Sequence, residues 1–200
     1  MSRLGWIIGS FFVVSGGFVL STAGMVISGW SGTTGILAFW GAGALVSGLL
    51  AARASAGKTF LEPAVGSILF IAAIGGMFLL TDVGAIVIDF AFSAAPDETQ
   101  KYLGMLAGTF FVGSLAGAFL GEKLQDILGE GGQFFMILLA FFIILGAFFL
   151  PIFGILLMNF QAETTGGMEL SAGKISLIVA GGSLLGGIVC RRGGAKFLAT

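Results

Sequence analysis

Long apolar runs, separated by short polar or Gly/Pro-rich breaks, follow one another along the chain. Six of them read as helices, over residues 5–28, 34–52, 64–92, 102–121, 133–159 and 171–190. A helix rises ~1.5 Å per residue, so ~20 residues cross the ~30 Å hydrocarbon core of a bilayer. The second, fourth and sixth runs have about that length. The other three exceed it and are expected to tilt, kink or project, with Pro151 as the kink point of the fifth. The pattern predicts an all-α integral membrane protein: one polytopic domain, 1–200, with six transmembrane helices.

The shorter runs carry small residues at every fourth position. Ala44, Gly48 and Ala52 precede Arg53; Gly113, Gly117 and Gly121 precede Glu122; Gly182, Gly186 and Cys190 precede Arg191. Residues four apart share a helix face, so each set makes a smooth, glycine-zipper-like strip that another backbone can approach closely. The sets lie 69 residues apart, from 44 to 113 to 182. That spacing suggests three tandem helical hairpins with units at about 1–62, 63–131 and 132–200, although 35 glycines make such strips easy to come by. The charge after each strip is expected at a helix C-terminus, where the dipole favours Arg53 and Arg191 but not Glu122.

Charge then orients the spans. Seven cations (Arg3, Arg53, Lys58, Lys123, Arg191, Arg192 and Lys196) fall at one set of helix ends and two (Lys101 and Lys174) at the other, so both termini are expected in the cytoplasm. Trp6, Trp30 and Tyr102 fall near the predicted interfaces, where amphipathic rings prefer to sit. The first run is too long for a secretory signal, and no convincing cleavage site follows it. Composition agrees with a membrane setting: 57% of residues are hydrophobic and 10% charged, against about 25% charged in soluble domains. Mean hydropathy is +1.09. A net charge of −1 without a basic run provides no footprint for nucleic acid. One cysteine and no histidine remove an internal disulfide and the usual ligand of haem, zinc and copper, and no cofactor is expected beyond a bound lipid.

Residues 52–59, ARASAGKT, fit a permissive phosphate-binding loop. Such a loop works by joining a buried strand to a helix N-terminus whose amides hold the phosphates. Here it follows the end of a membrane helix and leads through Glu62-Pro63 into the next one, Pro being tolerated in a first helical turn. Asp89 of the sequence AIVID, the one candidate for magnesium, would lie across the membrane from Lys58. No nucleotide is expected to bind.

Other candidates for chemistry are few. Asp82 ends the run GGMFLLTD, near the outer boundary by residue count, where solvation at the interface is the favoured reading ahead of a hydrogen bond to a neighbouring helix; with Lys174 it is also the one candidate ion or proton site. Phe134-Phe135, Phe141-Phe142 and Phe148-Phe149 recur every seven residues, a stripe suited to lipid or a partner helix. Cys190 beside Arg191 and Arg192 could accept an acyl chain, but its place in the third strip favours packing. The segments 94–101 and 161–167 read as the longest outer loops. No nucleophile–base pair or paired carboxylates occur, so no catalytic role is expected. The expectation is a non-catalytic structural or accessory subunit of a membrane protein complex, with lipids and other membrane subunits as partners. The alternative is a small-solute or ion channel or transporter, which Gly75-Gly76 and Pro151 would serve as helix breaks. Short loops and sparse charge suit a bacterial cytoplasmic membrane.

Overall fold

The computed structural model describes residues 3–29, 32–55, 61–79, 99–128 and 133–165. These form five helices: α1 (Arg3–Ser28), α2 (Thr33–Ala54), α3 (Leu61–Leu79), α4 (Thr99–Leu128) and α5 (Gln133–Thr165). Three of them, α1, α2 and α4, are long and apolar enough to cross a membrane, while α3 and α5 contain the shorter apolar stretches Leu61–Gly76 and Phe134–Phe149. The described residues thus show an all-helical fold with three such helices, not six. The sixth expected span, 171–190, and the later part of the third, 80–92, lie outside the described residues.

Several helix ends differ from the sequence reading. α4 runs on to Leu128, because Glu122-Lys-Leu-Gln-Asp-Ile-Leu128 contains no Gly or Pro to stop it. Glu122 therefore sits well inside α4, not at its C-terminus. The expected loops are partly helical too: Thr99-Gln-Lys101 opens α4, and Gln161 to Thr165 closes α5. The α5 helix continues through Pro151. At the turn between α1 and α2, Gly29 and Gly32 take φ of 66° and 93°, a region costly for residues with a Cβ. In the first turn of α3, Glu62 faces the positive end of the helix and Pro63 gives up an amide that has no partner there anyway.

Close approaches set the directions of the helices. Ser47 lies by Val13, Gly43 by Gly17 and Ser21, and Trp40 by Thr22, so α2 runs antiparallel to α1. Phe110 meets Phe70 and Ser114 reaches Pro63, so α4 is antiparallel to α3. Gly146 lies against Phe12 to Gly16 and Phe149 against Phe18, so α5 is parallel to α1. The N-terminal ends of α1, α3 and α5 thus share one end of the bundle with the C-terminal ends of α2 and α4. Arg53, Glu62, Glu122, Lys123 and Asp126 belong to that end, and Lys101 to the other.

α1 packs against α2, α3 and α5. Its neighbours come close because glycines remove the side chains between backbones. A methyl group on Gly17 would strike the Ser47 hydroxyl, and one on Gly16 the carbonyl of Phe142. Gly66 of α3 sits 2.8 Å from the Phe11 amide nitrogen by the same measure. Three of the buried hydroxyls are satisfied locally: Ser15 donates to Phe11 O at 2.9 Å, Ser21 to Phe18 O at 3.0 Å and Ser67 to Ala64 O at 2.8 Å. Each bonds a carbonyl of its own helix, which keeps the polar atom out of the apolar interior at little cost. Ser47 divides its proton between Gly43 O of α2 and Val13 O of α1.

Candidate functional site

Two features stand out from the packing: a seam of small residues between α2 and α4, and an aromatic hub that floors a cleft. In the seam, α2 and α4 run parallel with the two strips in register. A methyl on Gly113 would lie 2.9 Å from Gly41 O and 3.1 Å from the Ala44 Cβ. One on Gly117 would collide with the Leu45 carbonyl, and one on Gly48 with that of Ser114. At Gly121 the Leu49 oxygen and Ala52 Cβ would be 2.7 and 2.8 Å away. The structure therefore brings Ala44, Gly48 and Ala52 against Gly113, Gly117 and Gly121, and this face is consumed inside the chain. Gly182, Gly186 and Cys190 lie outside the described residues, as do Asp82 and Lys174.

Beyond the seam, Gln125 of α4 closes the C-terminal end of α2. Its amide nitrogen donates toward the carbonyls of Ala52, Arg53 and Ser55 at 2.8, 3.2 and 2.6 Å. Those are carbonyls that a helix end leaves without an intrahelical partner. Ser55 adds a bond from its hydroxyl to Ala52 O at 2.8 Å. Arg53, in the last turn of α2, lies with its guanidinium 5.3 Å from the Phe135 ring centroid, a cation–π contact that covers a buried charge. Sequence spacing pointed to the strips but not to Gln125, which lies past the expected end of its span.

The Phe pairs of α5 split between two environments. Phe134, Phe141 and Phe148 are 66%, 49% and 40% exposed, while Phe142 is 7% exposed and packs with Phe12, Val13 and Leu139. Adjacent residues on a helix point ~100° apart, so a pair cannot face one way. Ile137, Ile144 and Ile152 join the three outward rings.

The hub takes one ring from every helix: Phe18, Trp40, Phe70, Phe110 and Phe149. Ring centroids lie 5.0 Å apart for Phe18–Trp40, 5.6 Å for Phe18–Phe70, 5.8 Å for Phe18–Phe110 and 5.7 Å for Phe18–Phe149. All are tilted pairs within the favoured range. The indole N–H of Trp40 donates to the Thr22 hydroxyl at 3.0 Å, and Thr22 in turn donates to Phe18 O at 2.8 Å, so the one polar atom among these rings is satisfied. Above the hub a cleft of about 530 Å³ opens between α3 and α4, walled by Ile71, Ile74, Leu103 and Leu106 and rimmed by Gly75, Gly76 and Gly104. Among the described residues no cluster of His, Cys, Asp or Glu could hold a metal ion.

Comparison with known proteins finds no family model, no curated protein and no solved structure that matches this chain. What the geometry itself defines is a helical bundle with the profile of a membrane protein, bearing an apolar cleft and a regular aromatic ridge.

Proposed function

We propose that this chain is a non-catalytic subunit of a multi-subunit membrane complex, seated in a bacterial cytoplasmic membrane by six crossings with both termini in the cytoplasm. The ridge on α5 carries the reading. Its outward residues Phe134, Ile137, Phe141, Ile144 and Phe148 alternate Phe and Ile at steps of three and four, the spacing that seats knobs into holes on a facing helix. A surface that only meets lipid tails needs apolar side chains but no such order. The Gly/Ala strips of α2 and α4 are already paired with one another and so offer no face to a partner, whereas the ridge is exposed.

The test is purification of the tagged chain from its native membrane in mild detergent, with identification of co-purifying chains. Stoichiometric membrane subunits are expected, and Ile137→Ala with Phe141→Ala and Ile144→Ala should release them while the chain stays folded. A chain recovered alone, or only with copies of itself, overturns the proposal.

A further inference from the structure

We propose that the cleft between α3 and α4 holds one acyl chain of a membrane lipid, drawn from the leaflet at the Lys101 end, with its headgroup beside Gln100. This does not depend on the subunit reading. Three observations carry it.

The first is the contrast among glycines. Those at helix crossings have no room for a methyl, whereas among the described residues no atom lies within 4 Å of where one would stand on the cleft glycines Gly75, Gly76 and Gly104 (exposed Gly108, which does not line the cleft, is likewise open). Each helical glycine costs ~1 kcal/mol relative to alanine. At the crossings close packing offsets that cost; at these three positions what the missing side chain leaves is the width of the cleft. The second is direction. α3 and α4 touch where Ser114 reaches Pro63 and where Phe70 meets Phe110 at 5.5 Å; beyond these contacts the cleft lies between them, with Ala72 and Gly104 of its lining exposed at the side. A lateral opening between helices of this hydropathy faces lipid.

The third is depth. From Gln100 at the mouth to Phe110 at the floor is ten residues of α4, or ~15 Å at the helical rise, half of a ~30 Å hydrocarbon core. The cleft is one leaflet deep and its floor is the aromatic hub. Its volume lies within the ~300–1,000 Å³ of ligand pockets, with apolar walls and a single amide at the mouth. Next to that amide, the Lys101 ammonium stands 5.4 Å from the Tyr102 ring, an arrangement suited to the headgroup level of a bilayer.

Trp40, buried in the floor, is the reporter. The full-length chain with Trp6→Phe and Trp30→Phe is reconstituted into phosphatidylcholine vesicles whose acyl chains are brominated, a contact quencher of indole fluorescence. Most of the Trp40 emission should be lost relative to unbrominated vesicles. Gly104→Leu or Ala107→Leu, which fill the cleft, should restore it, with helix content by circular dichroism and monodisperse elution confirming that the chain is folded. No loss in the parent, or equal loss in both filled variants, overturns the proposal. So does quenching by a brominated fatty acid in plain vesicles when brominated phosphatidylcholine has no effect, since that would make the ligand a free apolar acid and not a lipid chain.

Discussion

Gly117 and Gly75 are both helical glycines in apolar surroundings, and substitution should move stability in opposite directions at the two. A methyl at Gly117 meets the Leu45 carbonyl, a backbone atom that cannot rotate away, so Gly117→Ala should destabilise by ~1–3 kcal/mol through overpacking. At Gly75 the methyl meets no atom of the described residues, and Gly75→Ala should stabilise by ~0.5–1 kcal/mol through helix propensity alone. Unfolding titrations in mixed micelles would read both, and a shared sign would refute the packing described here. Gln125→Ala should cost about 1 kcal/mol by stripping the donor from the end of α2, and Gln125→Glu should not rescue it, because a carboxylate has no N–H to give. Ser10 makes the converse case. Its buried hydroxyl has no hydrogen-bond partner among the described residues, so Ser10→Ala should be neutral or slightly stabilising.

At the scale of the helix, what the sequence shows is which residues share a face, not what that face meets. Small residues four apart mark a strip on α2 and another on α4, and their meeting could not be read from spacing, because any strip of that kind offers the same surface to every neighbour. Gly16 and Gly146, which bring α1 and α5 together, belong to no small-residue strip: large side chains lie four positions to either side of each, Phe12 and Leu20 for the first, Phe142 and Leu150 for the second. The hub was illegible for a different reason. One aromatic from each helix becomes a cluster only when the depths of all five coincide, and depth depends on where each helix starts relative to the others. Helix ends were the weakest part of the reading: hydropathy falls at Glu122, but helix propensity does not, so α4 carries on to Leu128. The α5 pairs give the sharpest test at this scale. Phe142→Ala should cost ~3–5 kcal/mol as a cavity in the core. Phe141→Ala, on the same turn but facing out, should leave the unfolding midpoint of the isolated chain nearly unchanged.

For the molecule as a whole, the alternation of helix directions can be turned into a statement about sidedness. Ser28 at the end of α1 and Gln100 at the start of α4 lie at one end of the bundle, and Asp126 near the end of α4 lies at the other; all three are exposed. If the cation-rich end faces the cytoplasm, single cysteines at these positions in a Cys190→Ala chain should divide cleanly. A maleimide that cannot cross membranes should label Ser28→Cys and Gln100→Cys on intact cells and should reach Asp126→Cys only after the cells are opened. The reverse division would keep the bundle and invert the topology, moving the lipid cleft to the cytoplasmic leaflet. Labelling of all three on intact cells would mean that α4 does not cross at all, despite the length and hydropathy that qualify it. A lipid-accessible cleft would then have no bilayer beside it, and the same reagent set would have tested the membrane reading and the ligand it implies in one experiment.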